Sequence, residues 1–228
     1  MKKLIFLFTI IINVFAFSGG MGMGMNIPNN SQINGNISDK IQTKEDYLRE
    51  EQALKKLAQL NPANYFMLGI LYISDIPLKD GTVIKANIKK AKQAFEIASS
   101  NNIVLSDYFL AVIAYRNKDY QKALNILENA MQNKLQTTTN SVYKVLSNFY
   151  ASIVLDYFNT NTILLKKAIH YLTPVAKENL GSSQFMLAYL YLYLKQENSA
   201  NFWLTKACSN PNTPTTLLKK CEQFKEGK

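Results

Sequence analysis

The chain has 228 residues, 47% hydrophobic and 18% charged, with 26 basic side chains against 16 acidic ones and a formal charge of +10. One histidine and two cysteines are too few for a structural zinc set. The lysines are scattered, in runs no longer than pairs such as Lys89-Lys90 and Lys219-Lys220, and no nucleic-acid-binding motif accompanies them. The charge therefore reads as solubility, with weak steering toward envelope polymer, lipid headgroups or an acidic partner.

At the N-terminus, Lys2 and Lys3 precede an apolar run from Leu4 to Phe17 in which Thr9 and Asn13 are the only polar residues. That run is short of the roughly 18–20 residues a spanning helix needs. Ala16 and Ser18 stand where the small residues of a cleavage site belong. The pattern predicts a secretory signal peptide over residues 1–18, with an uncleaved anchor as the alternative. It implies export to the periplasm or beyond the cell, in a bacterium of Gram-negative type. No cysteine near the cleavage site suggests a lipid anchor.

Residues 19–42, beginning GGMGMGMNIPNN, are rich in glycine, asparagine and serine. They offer too little apolar surface to offset the entropy of ordering, so a flexible tether is expected. Met21, Met23 and Met25 stand two apart, and soft thioethers suit Cu(I). A short low-complexity repeat produces the same spacing, and the metal reading is the weaker one.

From Thr43 the character changes. Thr43 and Asp46 form a capping-box pattern, and Tyr47, Leu54, Leu57 and Ala58 follow at helical spacing until Asn61-Pro62. Amphipathic segments then succeed one another, separated by Asn, Asp, Gly, Pro or Ser, with no run of period-two alternation. The rest reads as helix. Pro174 is expected to kink or break its segment.

The helices repeat. NYFMLGILYI (64–73) parallels SQFMLAYLYL (183–192). Second helices carry their own triplet: Ala91/Phe95/Ala98, Ala123/Leu127/Ala130, Ala168/Leu172/Val175 and Ala200/Leu204/Ala207. Each puts compact side chains and one large one on a single face, which lets helices approach closely. Short and long units alternate: Ala111 to Ala123 and Ala188 to Ala200 are each twelve residues apart, while Gly69 to Ala91 is 22 and Ser147 to Ala168 is 21.

Over residues 63–210 this pattern resembles tetratricopeptide and Sel-one-like repeats. Leu187-Ala188, Tyr191, Ala200, Leu204 and Ala207 follow the family's order, as do Leu110-Ala111, Ala123, Leu127 and Ala130. Leu68-Gly69, Tyr72, Ala91, Phe95 and Ala98 look closer to the Sel-one-like variant, and Leu146-Ser147 and Tyr150 open the most divergent unit. The resemblance implies an all-α, right-handed solenoid of antiparallel helix pairs. It would comprise about four units plus flanking helices, within a helical-repeat domain over 43–226.

Cys208 and Cys221 could by themselves be a metal or redox pair, a nucleophile with a bystander, or a covalent staple. Cys208 ends the fourth unit, prolines follow, and Thr213 or Thr215 is placed to cap a last helix carrying Cys221. Secreted cysteine-rich Sel-one-like proteins are similar here: a Lys-Ala-Cys ends one unit and pairs with a cysteine of the next helix. The likeness implies a Cys208–Cys221 disulfide pinning the terminal helix.

The same likeness implies a concave binding face lined by the first helix of each unit. Its positions map to Phe66, Ile70 and Ile73, then Tyr108, Val112, Tyr115 and Arg116, then Lys144, Asn148 and Ser152, and finally Phe185, Tyr189 and Tyr193. Tyrosine with Arg or Lys is the composition of a recognition surface; core packing is the competing use of these aromatics. No catalytic set or cofactor is expected. His170 sits on a largely apolar stretch, and Ser141-x-x-Lys144 lacks the companion motifs of penicillin-binding enzymes. The reading is a non-enzymatic exported scaffold for another envelope protein or peptide. The alternative is cell-wall ligand binding, or the β-lactam- or peptidoglycan-hydrolase activity attributed to some cysteine-rich relatives.

Overall fold

A computed structural model describes residues 41–135, 141–178, 180–215, 217, 218 and 221. The predicted signal peptide, residues 19–40 of the tether and the Met21/Met23/Met25 copper candidate lie outside the described residues; residues 41 and 42, expected to end the flexible tether, are described, and Ile41 is instead buried. The fold is predominantly helical. The chain divides into two compact units, one reaching Ile126 and the other beginning at Leu127.

In the first unit, α1 (Lys44–Leu60) starts at the expected capping box. The Asp46 amide donates to Thr43 Oγ1, and the Thr43 amide donates to Asp46 Oδ2, both at 3.1 Å. A 3-10 turn over Pro62–Asn64 leads into α2 (Tyr65–Ile73). The loop before α3 (Ile88–Ser100) is not wholly irregular: β1 (Ile76–Pro77) pairs antiparallel with β2 (Val83–Ile84). Two residues per strand are too few to show alternation, so the sequence reads there as loop. The tip turns at Gly81, whose φ is +84°. The ribbon also clips the entering chain, since the Lys79 amide donates to the Gln42 carbonyl and Ile41 is buried.

Then come α4 (Leu105–Arg116) and α5 (Tyr120–Asn133), the second of which crosses the division between units. Within the first unit α1 packs on α2, α2 on α3 and α3 on α4. The close approach of α2 and α3 is made by Gly69, because a Cβ there would lie 2.6 Å from Phe95 Cδ1. Phe95 is fully buried, stacked on Phe109 at 4.8 Å, and both rings lie within 6 Å of Phe66 (5.9 and 5.8 Å). The small–large–small phase read in the sequence thus builds the core.

The second unit contains α6 (Ser141–Tyr157), α7 (Thr162–Lys177), α8 (Gly181–Tyr193) and α9 (Glu197–Ser209). Short connections reverse the chain, and each helix packs on the next; α6 also reaches α8. Leu146, Tyr150, Ile153, Leu165, Leu172, Leu187 and Leu190 are fully buried between them. Of the kink or break expected at Pro174, the break does not occur, since α7 continues through it. Proline so near the C-terminus forfeits a single helical bond, to the His170 carbonyl, and His170 lies on the exposed side.

Three helices end on a left-handed residue that is not glycine: Asn102, Lys118 and Lys195, with φ of 63°, 63° and 59°. After α4, the Asp119 amide returns to the Ala114 carbonyl at 3.0 Å; after α8, the Gln196 amide returns to Tyr191 at 2.9 Å. Lys118 and Lys195 each stand seven residues after the small anchor of their helix, Ala111 or Ala188. Two differently written sequences make the same turn.

Candidate functional site

The thirteen face positions divide between the two units. In the first, Phe66 and Ile70 are half-buried against the core cluster. Tyr108 is 6% exposed, and burial raises its hydroxyl pKa. It is a packing residue that meets Phe109 edge-on at 5.4 Å. Ile73 and Val112 are buried as well. Tyr115 is half-buried beside Tyr120, ring centroids 5.4 Å apart, and Arg116 is exposed.

In the second unit, Lys144, Asn148 and Ser152 occupy successive turns of α6 and face the first half of α8. Asn148 Nδ2 donates to the Lys144 carbonyl at 2.6 Å, and Asn148 Oδ1 accepts from Ser183 Oγ at 2.8 Å. Ser152 Oγ donates to the Asn148 carbonyl at 2.9 Å and lies 3.5 Å from Met186 Sδ. These hydrogen bonds hold the two first helices side by side, running the same way. Lys144 Nζ is 2.5 Å from Glu178 Oε2. The amine that a Ser-x-x-Lys mechanism would use is therefore ion-paired.

On α8 the three aromatics differ in depth. Phe185 is 1% exposed and is core. Tyr189, its centroid 5.2 Å from Phe185, is half-buried, and burial raises its pKa. Tyr193, one turn on, is 46% exposed. The surface of this set is thus Tyr189 and Tyr193 with the outer parts of Lys144 and Asn148. His170 is exposed and meets Tyr171 edge-on at 5.3 Å. No group of three or more His, Cys, Asp or Glu side chains among the described residues could hold a metal ion.

Two polar nodes were not read from the sequence. Glu51 Oε1 accepts from the Tyr72 hydroxyl at 2.6 Å and from Lys55 and Lys90 at 3.0 and 3.3 Å. Burial is the largest single influence on Glu51 and opposes ionisation, but these three donors together outweigh it and lower its pKa. In the second unit Glu128 Oε1 accepts from Lys167 at 2.6 Å and from the Tyr171 hydroxyl at 3.2 Å. Burial, with Glu128 adding to it, pushes Tyr171 up to about 12. Lys90 and Lys167 each directly precede a second-helix alanine, Ala91 or Ala168, and each lies 39 residues from its glutamate. That shared offset was the available signal.

Cys208 and Cys221 form a disulfide, with Cα atoms 5.6 Å apart. The turn between them is anchored independently. Asn210 Nδ2 donates to Gln184 Oε1 at 3.0 Å, and Gln184 Nε2 donates to the Ala176 carbonyl at 3.0 Å. Thr213 does not cap the following segment: its hydroxyl donates backward to the Ala207 carbonyl at 2.6 Å. Its Cα sits where a Cβ on Gly181 would come within 2.7 Å. The helix after Pro214 begins instead with Leu217 and Leu218 amides bonding the Pro214 carbonyl.

No protein-family model and no curated protein matches the chain. The disulfide stands in the described residues, and no helix among them is long and apolar enough to cross a membrane.

Proposed function

We propose that this chain is an exported, non-enzymatic scaffold of tetratricopeptide or Sel-one-like type, a right-handed solenoid that holds a segment of another envelope protein. The observation that supports the reading is the same left-handed turn at Lys118 and Lys195, beside the close approach of α2 and α3 at Gly69. The Cys208–Cys221 bridge supports an oxidising compartment, which agrees with the N-terminal pattern.

Recognition is assigned to the first-helix faces. The ridge of Tyr189 and Tyr193, bordered by Lys144 and Asn148, supplies rigid aromatic surface with few rotatable bonds to order. Tyr115 and Arg116 play the corresponding part in the first unit. The experiment is capture of partners from envelope extract by the exported form, followed by mass spectrometry. Replacing Tyr115, Tyr189 and Tyr193 with Ala together should abolish capture while leaving helical circular dichroism intact. Unchanged capture would exclude these faces.

A further inference from the structure

Within the first unit, the ends of α2 and α4 and the starts of α3 and α5 lie together. The α2–α3 and α3–α4 packing places them there, and Phe66 near the start of α2 meets Phe109 near the start of α4 at 5.8 Å, so the two helices run the same way. This end includes the β1–β2 ribbon. Three of its acidic groups are engaged internally, while Glu45, at the start of α1 beside the ribbon, is exposed. Asp75 takes Lys85 at 2.8 Å and the Ala86 amide at 2.9 Å. Asp80 takes the amide and hydroxyl of Thr82 at 2.9 and 2.7 Å. Asp119 takes the Lys122 amide at 3.2 Å.

Five of its cations are not so engaged. Lys79, Lys89, Arg116, Lys118 and Lys122 are exposed and make no ion pair among the described residues. Between them stand two exposed aliphatics, Val83 at 42% and Ile88 at 38%. The ribbon tip projects into open space, for no atom lies within 4 Å of a Cβ built on Gly81.

We propose that this end of the first unit docks on a bilayer surface containing anionic phospholipid, with the cations at the headgroups and Val83 and Ile88 at the acyl boundary. A soluble polyanion would use the lysines and arginine but not the aliphatics. Each cation near an anionic leaflet adds attraction, and exposed apolar side chains add partition. The variants below replace none of Tyr115, Arg116, Tyr189 and Tyr193, so the test reads this docking separately from the scaffold reading.

The test is flotation of the full chain with vesicles of one part phosphatidylglycerol to two parts phosphatidylcholine, against phosphatidylcholine alone. Residues 4–17 can partition into either, so the readout is the extra binding that phosphatidylglycerol confers and salt removes. A variant carrying Lys79→Gln, Lys89→Gln, Lys118→Asn and Lys122→Gln should lose about tenfold or more of that increment. A charge-matched variant, Lys56→Gln, Lys166→Gln, Lys177→Gln and Lys195→Asn, should stay within about twofold of the parent. Val83→Ser alone should weaken binding several-fold. Equal losses in the two charge variants would show net charge alone at work and overturn the assignment. So would a parent increment insensitive to salt, or soluble polyglutamate bound as well as the vesicles.

Discussion

Gly69 and Phe95 occupy each other's space: a side chain at residue 69 would stand 2.6 Å from the ring's Cδ1, and the ring cannot retreat because it is stacked on Phe109. Gly69→Ala should therefore destabilise the first unit by about 1–3 kcal/mol, the usual range for overpacking. Urea unfolding followed by circular dichroism measures it. A midpoint equal to the parent's would mean that α2 and α3 are not held at this distance.

The left-handed Lys118 and Lys195 lead to the opposite sign. A lysine at φ near +60° crowds its own Cβ against the following carbonyl, which glycine avoids. Lys118→Gly or Lys195→Gly should stabilise the chain by up to about 1 kcal/mol, reduced by the greater freedom of glycine in the unfolded state. Thermal melting of the two single variants is the check, and a fall in Tm for both would contradict the turn geometry.

Asp156, in the last turn of α6, has its pKa pushed up to about 6 from the ordinary 3.8 by burial. The folded state then binds this proton more tightly than the unfolded one. Its contribution favours folding below pH about 4 and is lost as pH rises through 6. Asp156→Asn should leave stability unchanged near pH 4 and raise it at pH 7 to 8. After screening by solvent the gain should be about 1 kcal/mol. Glu51 works the other way: its lowered pKa supports the fold above the ordinary carboxyl range and that support fades as pH falls through its folded value. Urea midpoints of Asp156→Asn and Glu51→Gln across pH should diverge accordingly.

The bridge between Cys208 and Cys221 closes a loop of 13 residues. Replacing both with Ala should cost about 3 kcal/mol by the chain-entropy argument. The loss should be local. Amide exchange should rise after Pro214, while the turn at Asn210–Thr213 keeps its protection through Gln184 and Ala207. Uniform loss of protection through α9 would show that the disulfide, not the polar contacts, seats that turn.

Helices and their register were readable because close packing demands small residues at fixed intervals, and Gly69, Ala91 and Ala98 meet that demand around Phe95. The Thr43 capping box and the cysteine pair were equally local in their logic. Depth was not readable. Tyr108 and Phe185 are first-helix aromatics just as Tyr115 and Tyr189 are, yet the first two are core, because burial depends on the neighbouring helices. The Glu51 and Glu128 nodes joined residues 39 apart, beyond any window of periodicity. Pro174 does not break its helix because a proline's cost depends on how much helix remains to follow it.

The contact between Gly181 and Thr213 gives the second unit an order of assembly. On a chain made from its N-terminus, α8 emerges 32 residues before the threonine whose backbone seats against its first turn. Until then the Gln184 amide, buried in the finished protein, lacks its Asn210 partner. A nascent chain ending at Ser209 would hold α1 to α9 and still lack the closing piece. The final residues thus complete folding that began well upstream, and a premature stop near residue 210 would cost far more than the few residues it removes.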